Sequence, residues 1–220
     1  MEFLWFGKFG RPVILFPTSS GRYNENGDFH LTDSLADKVD RGDIQLLCVD
    51  SVDQESWYNR GVHPAVRAAR HAQYDAYLRN EMVPYIFNRA QRGDLAVYGA
   101  SFGAYHAANF AARYPDVVNR AICFSGLYDI HQFTDGYWDN NCYFHCPTAY
   151  VPNMSAEWVW KLSQMDICIV TGETDNILEG SRQMIGILES KGIPHRGDIW
   201  AAPYGHDWPW WKEQIRHYLP

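Results

Sequence analysis

The sequence has no long apolar run. Nowhere do roughly 18 consecutive apolar residues occur, so no membrane-spanning helix is expected. Positive charge is also short. Against 26 Asp and Glu stand only 19 Lys and Arg, for a net charge of −7. That balance argues against a nucleic-acid surface or an anionic membrane as partner. Met1 to Gly10 carries no basic leader ahead of an apolar stretch, so no signal peptide is read and a cytoplasmic location is expected. Repeats, low-complexity tracts and linkers are absent, and one domain is expected over residues 1–220.

Cysteines are few and odd in number, at five. Cys48, Cys123 and Cys168 lie in apolar strand-like runs and read as buried free thiols. Cys142 and Cys146, with His145 between them, form C-x-x-x-C. A second ligand pair at metal spacing is missing, so no metal is expected there. A cytoplasmic location disfavours a disulfide.

What the chain does have is core. Its 220 residues are 46% hydrophobic, enough for one sizeable interior. Aromatics reach 15%, with nine Trp. Several fall outside the expected strands and helices, where a pocket or packed lid would use them.

Apolar runs at 3–6, 13–16, 44–49, 95–98, 121–124, 167–171 and 199–201 read as strands. The first two are joined by a Gly- and Pro-marked tight turn. Between later strands lie helical stretches: one from Pro64 towards Arg92, kinked at Pro84, one from Ala104 to Tyr114, and one with Ile177, Ser181, Met184, Ile185 and Leu188 at helical spacing. Gly192 suits the last one's C-terminus. A helix with Trp208, Trp211, Ile215 and Leu219 closes the chain. Alternating strands and helices predict an α/β fold with a mostly parallel central sheet and helices on both faces. Residues 125–164 are too long for a plain connection and read as a small cap inserted before the strand at 167–171.

Gly99-Ala100-Ser101-Phe102-Gly103 lies between a strand-like run and a helix. Strand, G-x-S-x-G, helix is the nucleophile-elbow pattern. The turn is so sharp that the positions two before and two after the serine must be nearly free of side chain. A serine there projects from the carboxyl edge of a sheet, beside a helix N-terminus.

Serine needs a base to take its proton, and the base needs an acid to orient it. In an open α/β sheet such groups gather past the carboxyl ends of strands. Asp175, just past the run 167–171, fits the acid and is preferred over Glu173, which suits solvent or a turn. Capping the next helix is the plainer role for Asp175. His206, past the last strand, fits the base. His195 lies at the wrong edge, His71 and His217 lie within helices, and His106 points away from the serine. His30 and His63 lie in loops, and His131 and His145 in the cap. Ser101, Asp175, His206 is the Ser…Asp…His chain order of α/β-hydrolases. Asp207 reads as the cap of the closing helix.

An oxyanion hole needs two N–H donors. Phe102, which follows the nucleophile, is one candidate. The other falls among Thr18, Ser19 and Ser20, with Ser19 chosen. An ordinary polar turn is the alternative for that loop.

On Gly99–Gly103, Gly172-Glu173-Thr174-Asp175 and Gly205-His206-Asp207-Trp208 followed by Trp211, the chain resembles an esterase branch of the α/β-hydrolases. That branch includes esterase D (S-formylglutathione hydrolase), feruloyl and acetyl-xylan esterases and the antigen 85 mycolyltransferases. The resemblance spans roughly Val13 to Leu219. Asp50-Ser51-Val52-Asp53, Ser56-Trp57-Tyr58-Asn59 and Ser101–His106 are similar to short bacterial esterases. Many members carry His-Gly where this chain has Pro17-Thr18, which bears on the second oxyanion donor. The resemblance implies a serine ester hydrolase with no metal or organic cofactor.

The expectation is a carboxylesterase acting on small to medium acyl esters through an acyl-enzyme on Ser101. Thioester hydrolysis or acyl transfer by the same residues, or a non-catalytic binding protein on this fold, are the alternatives. Trp57, Tyr58, Trp138 and Trp158 are the candidate substrate-binding aromatics, with Tyr137 and Trp160 beside them. A homodimer is permitted but not required.

Overall fold

The computed structural model describes residues 1–219. Seven strands form one sheet: β1 (Phe3–Phe6), β2 (Arg11–Leu15), β3 (Ile44–Val49), β4 (Leu95–Ala100), β5 (Val118–Phe124), β6 (Asp166–Gly172) and β7 (Arg196–Trp200). Their order is β1-β3-β2-β4-β5-β6-β7. Every neighbouring pair is parallel except β1 with β3. The expected tight turn joins the first two strands, but the strands it joins are not neighbours in the sheet. β1 and β2 flank β3 on opposite sides and run antiparallel to each other, so the short connection through Gly7 and Gly10, both at φ +90, reverses the chain past β3 instead of closing a paired hairpin. The last strand also starts earlier than its apolar stretch, because only Ile199 and Trp200 of it are large and apolar.

The helices are α1 (Glu25–Asp28), α2 (Ala36–Asp40), α3 (Pro64–Tyr77), α4 (Val83–Ala90), α5 (Phe102–Arg113), α6 (Asn140–Phe144), α7 (Pro147–Tyr150), α8 (Ala156–Leu162), α9 (Leu178–Ser190) and α10 (Trp208–Tyr218). The break at Pro84 takes a specific form. Residues Leu78–Met82 make one π turn between α3 and α4. Proline has no N–H and crowds the preceding turn, and a locally wider turn accommodates both.

Strand alternation divides the core. Ile14, Leu47, Val97, Cys123 and Ile169 face α3, α4, α5 and α9. Val13, Leu15, Tyr98, Ile122 and Val170 face α10 and the turn at Leu35. Each buried Val, Leu or Ile stabilises the fold by about 1.5–3 kcal/mol. Alanines of α5 (Ala104, Ala107, Ala108, Ala111) lie against the central strands, where larger side chains would hold the helix off the sheet.

Between β5 and β6 the chain folds into short helical turns, including α6, α7 and α8. Phe133, Ile130, Cys142 and Cys146 from this segment pack with Trp57, Phe102 and Tyr105. The segment thus rests on the N-terminal half of α5. Among the described residues no helix is long and apolar enough to cross a membrane.

Candidate active site

β4 ends at Ala100 and α5 begins at Phe102, so Ser101 occupies the entire turn. Its φ of +55 is a conformation that L-residues rarely adopt. The surroundings hold it there. A Cβ on Gly99 would lie 2.0 Å from Gly103 O, and a Cβ on Gly103 would lie 2.5 Å from Pro17 O. The spacing of the two glycines is therefore a steric requirement of the turn.

Three strand ends converge on one point. His206, in the loop after β7, places Nε2 3.0 Å from Ser101 Oγ. Its Nδ1 lies 3.1 and 3.3 Å from the two oxygens of Asp175, which follows β6. The Asp175 side chain is fully buried, while that of His206 is 24% exposed and open to a ligand. Asp175 also accepts from the Ile177 N–H at 2.8 Å, so it shapes the approach to α9 as well as meeting His206. Burial pushes its carboxyl up. Hydrogen bonds from His206, Ser125 and the Ile177 N–H outweigh that and hold it below the usual carboxylate range. Glu173 is exposed and accepts from the Ala202 N–H at 3.0 Å, away from His206. Asp207 caps α10 by accepting from the Trp208 N–H.

The loop after β2 supplies a free donor by elimination. The Thr18 N–H is committed to Glu25 Oε2 at 2.6 Å and the Ser20 N–H to Asp53 Oδ2 at 3.0 Å. Among the described residues, the Ser19 and Phe102 N–H groups have no protein acceptor. Both residues line the same open cleft as Ser101 and His206, with a volume of about 380 Å³. Tyr58, Leu127, Phe133 and Ile177 add apolar wall, and Arg60 and Gln132 add polar rim.

Tyr58 is the one proposed substrate-binding aromatic in this cleft. Its hydroxyl donates to Ser19 Oγ at 2.9 Å, and its ring meets Phe102 edge-on at 5.1 Å. Trp57 is corrected. It is fully buried, and its indole N–H donates to Tyr105 Oη at 2.9 Å, so it reaches no ligand. Trp138 is stacked on His131 at 4.1 Å, and Trp158 lines a separate cleft with Arg113 and Tyr143. Both are corrected as neighbours of Ser101. Tyr137 is tied to Asp139 at 3.0 Å, and Trp160 lies exposed on α8. In such a loop-rich segment, adjacent aromatics point in different directions, and composition carries no information on which ones face the cleft.

Ser125 joins this site from the end of a fourth strand. It follows β5 at φ +50, is buried, and accepts from the Trp211 indole N–H at 3.0 Å. A polar residue at a strand end was its one sequence signal. All five cysteines are free and buried. Cys146 forms a small group with Asp129 and His131, their ligand atoms all within 4.8 Å. These side chains already satisfy one another: His131 Nδ1 is 2.6 Å from Asp129 Oδ1, and the Thr148 hydroxyl donates to Asp129 Oδ2 at 3.2 Å. Burial pushes the Cys146 thiol up, away from the thiolate form that binds metal.

The sequence profile of the Putative esterase family matches residues 10–220, and the chain belongs to that family. Solved structures share its α/β-hydrolase fold. A ferulic acid esterase superposes with a TM-score of 0.72 at 19% identity, over 97% of this chain and 84% of that one. An S-formylglutathione hydrolase from Agrobacterium tumefaciens gives 0.71 at 12% identity, over 97% and 86%. Mycobacterium tuberculosis MPT51 (FbpC1) gives 0.70 at 16% identity, over 97% and 88%. No curated protein matches the sequence.

Proposed function

We propose that the protein is a serine carboxylesterase for small to medium acyl esters. The observation that carries this is the unbroken hydrogen-bond chain from Asp175 through His206 to Ser101 Oγ, opening onto a cleft. His206 Nε2 accepts the Ser101 proton as Oγ attacks the ester carbonyl. Asp175 fixes the tautomer with the Nδ1 proton directed at the carboxylate, and stabilises the imidazolium. The carbonyl oxygen, now negative, accepts from the N–H groups of Phe102 and Ser19. Collapse of the tetrahedral adduct breaks the bond to the alkoxy group, which leaves as the alcohol with the proton from His206. An acyl ester on Ser101 remains. His206 then takes a proton from water, hydroxide adds to that ester, and the acid departs as Ser101 recovers its proton. No cofactor is needed for these steps.

The cleft has a volume of about 380 Å³ and mixes apolar side chains (Tyr58, Leu127, Phe133, Ile177) with polar ones, which supports an acyl group of small to medium size. The five buried free thiols support a cytoplasmic location. The test is hydrolysis of p-nitrophenyl esters from acetate to long acyl chains by wild type and Ser101→Ala. Short esters should turn over, with a loss of roughly 10³-fold or more in kcat for the variant. A wild type inert on every chain length would overturn the ester reading and favour a thioester or another acyl acceptor.

A further inference from the structure

Asp53 is a fully buried carboxylate outside the Ser101–His206–Asp175 chain. It follows β3, in the turn Asp53–Glu55, and its two oxygens go to different elements. Oδ1 lies 2.8 Å from Nε2 of His106, which is itself buried on α5. Oδ2 accepts from the Ser20 N–H at 3.0 Å. α5 is the helix that begins with Phe102, and Ser20 adjoins Ser19. One carboxylate therefore ties together the two segments that carry the free Phe102 and Ser19 N–H groups.

We infer that Asp53 and His106 are positioning residues that set the geometry of the oxyanion hole. The inference rests on the esterase reading above. Three further observations support it. Ser20 sits at φ +60, a conformation that costs energy for a non-glycine residue and needs an external anchor. The turn is closed by the Gly21 N–H donating to Thr18 O at 3.0 Å, and its other flank is held by Glu25 through the Thr18 N–H. With the N–H groups on either side of Ser19 tied to carboxylates, the Ser19 N–H is the one left without a protein acceptor, on a residue that lines the cleft. His106 in turn is fixed by packing: its ring stacks with Phe16 at 5.6 Å and meets Phe102 edge-on at 5.1 Å. A histidine five residues past the nucleophile cannot serve Ser101 from that side of the helix. Its place behind Phe102 explains why a buried imidazole is there.

Oxyanion donors must be aimed before the charge develops, so a loosened loop should lower kcat while leaving substrate binding nearly unchanged. Asp53→Asn offers one acceptor oxygen in place of two and presents an N–H to a donor. The experiment compares wild type and Asp53→Asn for p-nitrophenyl acetate turnover and for inhibition by a methyl trifluoromethyl ketone, whose hemiketal oxygen would occupy the hole. A folded Asp53→Asn, checked by circular dichroism, should lose about 10²-fold in kcat. KM should stay within a few-fold, and ketone affinity should fall in step with kcat. Wild-type kcat and ketone affinity in the folded variant would overturn the inference, as would a lower kcat with unchanged ketone affinity. If Asp53→Asn does not fold, His106→Leu and His106→Gln decide. The glutamine amide can reproduce the Nε2–H donor, so it should retain ketone affinity that leucine loses, and equal behaviour of the two would overturn the inference. Failure of the esterase reading looks different: wild type itself would be inert and Ser101 unreactive, and the inference would fall with it.

Discussion

The indole N–H of Trp211 donates to Ser125 Oγ at 3.0 Å, and the same ring meets His206 edge-on at 5.0 Å. One side chain of α10 thus braces the base from one side and the neighbour of the acid from the other. Ser125 contributes to holding the Asp175 carboxyl in its charged form. Trp211→Phe keeps an aromatic ring against His206 but removes the N–H. The Ser125 hydroxyl keeps its bond to Asp175, so the expected result is a stability loss of about 0.5–1.5 kcal/mol for the one hydrogen bond removed, read by urea unfolding, with kcat reduced more than KM is altered.

Asp175 gives a signed pH dependence. Its carboxyl is lowered in the folded state, so its contribution to stability is fully present above the unfolded value of about 3.9. That contribution is lost as pH falls through the folded value. The stability difference between wild type and Asp175→Asn should therefore be flat from neutral pH down to about pH 4 and shrink below it. Urea midpoints across that range check the sign. At neutral pH the same variant should lose about 10³–10⁴-fold in kcat, because the asparagine amide N–H can donate to Nδ1 and hold His206 in the wrong tautomer.

Trp57 and Tyr58 are adjacent in sequence and opposite in role. Trp57→Ala should cost about 3–5 kcal/mol, the scale for emptying a buried tryptophan site, and leave the ratios of kcat/KM across acyl lengths unchanged. Tyr58→Ala removes a cleft wall and the hydrogen bond to Ser19. It should shift those ratios towards longer acyl chains at little cost in stability. An acyl-length series on both variants, with thermal melts, separates the two.

Much of this architecture is legible in the residues themselves. Gly99 and Gly103 mark the elbow because no larger residue fits there, and strand ends mark Asp175 and His206 because the parallel sheet gathers its loops at one edge. The order of the sheet is less legible. Phe3–Phe6 is apolar enough to pair with either neighbour, and only the assembled sheet selects β3. Side-chain direction outside regular elements is hidden as well. Trp57 turns inward because Tyr105 offers its indole N–H an acceptor, a partner 48 residues away. Asp53 and His106 lie 53 residues apart in the chain, and no local period announces their pairing.

The central claim is that Ser101 is the activated nucleophile, and a fluorophosphonate probe tests it most directly. The probe's phosphorus should bond to Ser101 Oγ with loss of fluoride, and peptide mapping should place the adduct on the segment containing Gly99–Gly103. Ser19, Ser20 and Ser125 should stay unmodified, and His206→Ala should suppress labelling. An unlabelled wild type, or an adduct on any other serine, would contradict the account.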